Sequence, residues 1–77
     1  MKLLEILQGL HPQFDYEKSE DFFADGLLDS FDLTRLIAAL DEGFGISIGG
    51  DDLTAENFKS LQALQAMLER HGVKLDS

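Results

Sequence analysis

The chain has no cysteine, a single proline and only six basic residues in 77. Without cysteine there is no disulfide and no thiolate metal site, so nothing covalent staples a domain near the lower size limit for one core. Six bases against fifteen acids leave a net charge of −9. That deficit argues against nucleic-acid binding or adhesion to anionic membranes, both of which need clustered Lys and Arg to meet phosphates. It favours partners with basic docking surfaces. The acids are scattered along the chain, which describes a charged globular face and not a disordered tail. Long apolar runs are missing too, so direct membrane insertion is not expected. Met1-Lys2-Leu3-Leu4 begins like a targeting signal, but Glu5 interrupts it, His11-Pro12 ends it, and no small-residue cleavage site follows. A cytoplasmic protein is the expectation.

What is present is enough apolar material, 44% of residues, for a compact helical domain. The reading is one domain over residues 1–77, ordered over about 2–72. Residues 2–10 form a short amphipathic helix with Leu3, Leu4, Ile6, Leu7 and Leu10 as its apolar set, and Pro12 stops it. Residues 11–29 make a loop longer than a compact domain normally carries. It must be pinned by its own Phe14, Tyr16, Phe22, Phe23, Leu27 and Leu28. A second helix spans 30–43, with Leu33, Leu36, Ile37, Leu40 and Phe44 at the spacing of one buried face and Gly43 and Gly45 marking its end. Ile46 and Ile48 alternate with polar residues, but with no second strand to pair with they read as an extended loop reaching the core. Gly49-Gly50 is a turn. A short third helix lies within Asp51–Phe58 with acids in its first turn, and Ser60 caps a fourth over 61–71 with Leu61, Leu64, Met67 and Leu68 inward. Gly72 ends it and 73–77 frays. The fold class is therefore all-α: a small bundle of three main helices and one short one, with a long first connection.

The chain is organised around Asp25-Gly26-Leu27-Leu28-Asp29-Ser30-Phe31-Asp32, where that loop becomes the second helix. Asp29 or Ser30 can cap the helix by accepting a bond from an early backbone N–H. Ser30 has no base of its own in the sequence: His11 and His71 lie at helix ends, and neither sits in a recognisable triad setting. Phe31 falls off the Leu33/Leu36/Ile37/Leu40 stripe. An exposed aromatic there would suit an anchor in a partner's apolar pocket, whereas folding back over loop 11–29 is the plainer alternative. The outer face of this helix reads Phe31, Arg35, Ala38, Glu42, with Thr34 and Asp41 alongside. Arg35 can pair with Asp32 or Glu42 or stay solvated, at little gain either way. The cluster Asp51-Asp52…Glu56 invites a calcium reading, but Gly49-Gly50-Asp51-Asp52-Leu53-Thr54 lacks the ligand order of an EF-hand loop, and no metal site is expected.

Gly26-Leu27-Leu28-Asp29-Ser30-Phe31 resembles the attachment motif of the acyl, peptidyl and D-alanyl carrier proteins, and the likeness in length, acidity and helix order covers roughly residues 2–72. The form Gly-Leu-Leu-Asp-Ser-Phe is closer to D-alanyl and aminoacyl carriers than to the Leu-Gly-Ala-Asp-Ser-Leu form of fatty-acid carriers. The resemblance implies 4′-phosphopantetheine, taken from coenzyme A, on Ser30 as a phosphodiester, with Asp29 helping to present the serine to a phosphopantetheinyl transferase. It implies a stand-alone, non-catalytic, monomeric carrier that holds an acyl or aminoacyl group as a thioester on the arm. A loading ligase and a downstream acyltransferase or synthase are its partners. Leu28, Phe31, Arg35, Ala38 and Glu42 are the docking residues this implies. Arg35 stands about where fatty-acid carriers have a glutamate, which points to a dedicated partner. Two other readings stay open. A small acidic interaction module would need no modification, and a small serine hydrolase would have to find a pocket in 77 residues.

Overall fold

In the computed structural model, which describes residues 2–75, four helices follow one another: α1 (Lys2–Leu10), α2 (Ser30–Phe44), α3 (Ala55–Phe58) and α4 (Leu61–Arg70). A 3-10 turn, Gly50–Asp52, precedes α3, and no strand occurs among the described residues. The all-α class, with its long connection between α1 and α2, is as the sequence predicts. No helix among the described residues is long and apolar enough to cross a membrane.

Each helix buries the stripe its spacing sets apart. Leu3 and Leu7 of α1, Leu36 and Leu40 of α2, Phe58 of α3 and Leu64, Met67 and Leu68 of α4 are all removed from solvent. Leu4, Ile6, Leu10, Leu33, Ile37, Phe44, Ile46, Ile48 and Leu61 pack around them half-buried. The rest of the core comes from the long loop, through Tyr16, Phe22 and Leu28. Tyr16 meets Phe22 edge-on with ring centroids 5.4 Å apart and Phe14 at 6.3 Å, the geometry aromatic pairs prefer. The Phe22 N–H donates to the Lys59 carbonyl at 2.6 Å, and the Phe22 carbonyl accepts from Leu27 and Leu28. One loop residue thus joins the α3–α4 connection to the segment that leads into α2.

Three local expectations are revised. Gly43 does not end α2 but lies inside it, where a Cβ would sit 3.0 Å from Ile6 Cδ1. Its missing side chain lets α1 close on α2, and Lys2 reaches across to the Gly43 carbonyl. The helix stops at Phe44 because Gly45 takes the left-handed conformation, φ +66°, and its N–H bonds the Asp41 carbonyl. Asp51 and Asp52 belong to the 3-10 turn, not to the first turn of α3, which starts after the Thr54 cap. Asp41, expected on the outer face of α2, is half-buried, and its carboxylate accepts the Ile48 N–H at 3.0 Å, pinning the chain after the helix.

Candidate functional site

The first turn of α2 is fixed by a reciprocal pair of acids. Asp29, in extended backbone, is the N-cap: its Oδ1 accepts the Asp32 N–H at 2.8 Å, and Asp32 Oδ2 accepts the Asp29 N–H at 3.3 Å. This is a capping box with aspartates in both places. Ser30 is therefore not the cap but the first helical residue. Its side chain is exposed and its hydroxyl forms no hydrogen bond among the described residues; its carbonyl accepts from the Thr34 hydroxyl at 3.2 Å. The other described serines differ. Ser19 donates to Asp25 at 2.6 Å, Ser60 spends its hydroxyl capping α4, and Ser47 lies in the extended segment beyond α2.

Asp32 is the only buried charged residue among those described, at 7% exposure. A buried carboxylate is costly unless its oxygens are satisfied, and both are. Oδ2 closes the capping box, and Oδ1 lies 3.0 Å from His11 Nε2, which must be the donor because a carboxylate only accepts. Arg35 reaches the same oxygen at 4.0 Å from the exposed side. Burial alone would push the Asp32 carboxyl up, but the His11 contact and the Asp29 N–H outweigh it and hold it below the ordinary carboxylate range. The Tyr16 hydroxyl donates to the His11 carbonyl at 3.3 Å; burial first, and then the Asp32 charge, raise its pKa above the ordinary tyrosine value.

The predicted site residues divide cleanly. Phe31, Arg35, Ala38 and Glu42 are exposed along one face of α2, Phe31 at 72%, so it does not fold back over the loop. Leu28, expected among the docking residues, is corrected: at 3% exposure it is a core residue, anchored by the Phe22 carbonyl, and its side chain is not on that exposed face. Gly26 of the motif turns the chain with φ +77°, a conformation glycine adopts freely. The His11–Asp32 contact went unread in the sequence. The one available signal was that His11 is the only histidine near the N-terminal half, beside a loop that must return to α2. It forms no triad, since no hydrogen bond joins His11 to the Ser30 hydroxyl. Ser30 also lies outside the groove of about 690 Å³ that Glu17–Glu20, Lys59–Gln62 and Gln65 line. Among the described residues no three acids or histidines gather as a metal site; Asp52 instead meets His71 at 2.7 Å.

The family profile described as "Phosphopantetheine attachment site" matches residues 2–68, nearly the whole described chain. The protein belongs to that family. It is a non-catalytic carrier whose prosthetic group is 4′-phosphopantetheine, served by a phosphopantetheinyl transferase and by loading enzymes. No curated protein matches the chain. The carrier's α2 start fits the group. An unbonded hydroxyl stands there beside the Ser30 and Phe31 N–H groups, which have no acceptor among the described residues, and such N–H groups favour a phosphodiester anion.

Proposed function

We propose that Ser30 carries the prosthetic group and that the chain acts as an acyl or aminoacyl carrier. The observation that supports Ser30 most directly is the Asp29–Asp32 capping box, which leaves the serine hydroxyl free at the helix start. In the transferase, Ser30 Oγ attacks the phosphorus of coenzyme A that bears pantetheine. An O–P bond forms, the pyrophosphate bridge breaks, and adenosine 3′,5′-bisphosphate leaves. The hydroxyl proton passes to a base of the transferase, since His11 is held on Asp32 and is not hydrogen-bonded to Ser30. Asp29 presents the serine by fixing its place in the first turn. Once bound, the group supplies the thiol for thioester chemistry, which explains how a cysteine-free chain can carry an acyl load.

Phe31, Arg35, Ala38 and Glu42 form the face that docks, with Phe31 as the apolar anchor. Arg35 asks for an acid on the partner and so favours a dedicated ligase or acyltransferase. Gly26-Leu27-Leu28-Asp29-Ser30-Phe31 leans towards aminoacyl and D-alanyl cargo. Peptide mapping tests the assignment. After treatment with coenzyme A, magnesium and a transferase, trypsin should release the adduct on the peptide 19–35, with fragmentation placing it on Ser30 and not Ser19. An adduct on Ser47, or on Ser19, would contradict it. Holo protein offered amino acids, D-alanine or fatty acids with ATP and an adenylating ligase should gain a hydroxylamine-labile load. A load of fatty acids alone would contradict the aminoacyl leaning.

A further inference from the structure

Asp29 and Ser30 stand next to each other at the start of α2, and both are residue types that cap helices well. At α3 and α4 the hydroxyl of Thr54 and Ser60 is consumed as the cap, accepting the Asn57 and Ala63 N–H. At α2 the hydroxyl residue is displaced by one position and spared. If the helix began one residue later, the Ser30 hydroxyl would become the cap acceptor and be lost to chemistry. Something must favour the Asp29 register over the Ser30 register. The box supplies part of it through Asp32, but Asp32 is itself held from outside α2. His11, just after α1, donates to its Oδ1 at 3.0 Å, while its Oδ2 serves the Asp29 N–H.

His11 is in turn fixed on several sides. Its N–H donates to the Leu7 carbonyl, its carbonyl accepts from Phe14 and the Tyr16 hydroxyl, and its ring lies 5.3 Å from that of Phe14. Arg35, the other cation near Asp32, is exposed and sits 4.0 Å away, a weaker hold. We infer that His11 is a positioning residue for the modification of Ser30: by clamping Asp32 it selects the helix register in which the serine hydroxyl is free. The inference rests on Ser30 being the attachment residue.

The test compares initial rates of phosphopantetheine transfer to wild-type, His11→Ala, His11→Gln and Ser30→Ala proteins, well below their melting temperatures. His11→Ala should lower kcat/KM about tenfold, the scale of losing one good helix cap. His11→Gln, which keeps a donor for Asp32, should recover most of the rate. Amide exchange reads the register directly: in His11→Ala the Asp32 N–H, bonded to Asp29 Oδ1 in the wild type, should become exchangeable while the Leu33 N–H stays protected by the serine. Were His11→Ala to fail to fold, Asp32→Asn takes its place, since its amide oxygen still accepts the Asp29 N–H while the charge holding His11 is gone, and it too should be slowed. A folded His11→Ala or Asp32→Asn protein modified at the wild-type rate overturns the inference, as does a His11→Gln protein no faster than His11→Ala. Wild-type protein that gains nothing, or gains equally with Ser30→Ala, would overturn the attachment reading itself, a result distinct from either.

Discussion

At the scale of single residues, Asp29 takes the cap, Asp32 closes the box, and Ser30 is left with a free hydroxyl on an exposed turn. Asp32 gives a pH prediction whose sign follows from its environment. Its pKa in the folded protein lies below the unfolded value near 3.8. The stability it contributes is therefore complete above that value and is lost as pH falls through the folded-state pKa. Urea midpoints should separate wild type from Asp32→Asn near neutral pH and converge as the pH drops below about 4; a constant gap would mean the carboxylate is not favoured by its setting. Phe31 gives a second prediction. With 72% of its surface exposed, Phe31→Ala should leave the free energy of urea unfolding within about 0.5 kcal/mol of wild type yet lower partner-dependent loading about tenfold, as loss of an interface anchor does. Phe31 was legible in the sequence because it falls off the apolar stripe. The His11–Asp32 contact was not, because it joins residues on separate elements and depends on how the long loop folds back.

At the scale of elements, periodicity locates α1, α2 and α4 almost to the residue because each helix buries one stripe against a common core. The misreadings fall where tertiary packing decides. Gly43 looks like a helix breaker in sequence, but Ile6 of α1 needs the space above it. Asp51 and Asp52 look like first-turn acids of a helix, but the chain makes a 3-10 turn there and restarts at the Thr54 cap. Leu28 looks available for docking because with Phe31 it flanks the serine of the motif, yet it faces inward with Phe22. Gly45 is the glycine whose backbone angle matters most for α2. A Cβ there meets nothing within 4 Å, so Gly45→Ala isolates the cost of the left-handed conformation at φ +66°. That change should destabilise the protein by about 1 kcal/mol, read as a lower urea midpoint at unchanged slope. An unchanged midpoint would show that α2 can end without this cap.

At the scale of the whole molecule, the charge of −9 on a body 28 × 25 × 18 Å sets two opposite salt effects. Self-repulsion of the acids falls as ions screen it, so moderate salt should raise the melting temperature. The same screening weakens the attraction to a basic partner surface, so it should slow loading by the cognate ligase, acting on the on-rate more than on the affinity. Both follow from one cause, and a melting temperature or a loading rate indifferent to salt would contradict it. The central claim is that a carrier of this family uses Ser30, a serine spared from capping its own helix. Intact mass after incubation with coenzyme A, magnesium and a broad-specificity phosphopantetheinyl transferase, with Ser30→Ala run beside it, tests that claim most directly. A gain of one phosphopantetheine in the wild type and none in the variant is the predicted result. An equal gain in the variant, or no gain in folded wild-type protein while a control carrier is modified, would contradict it.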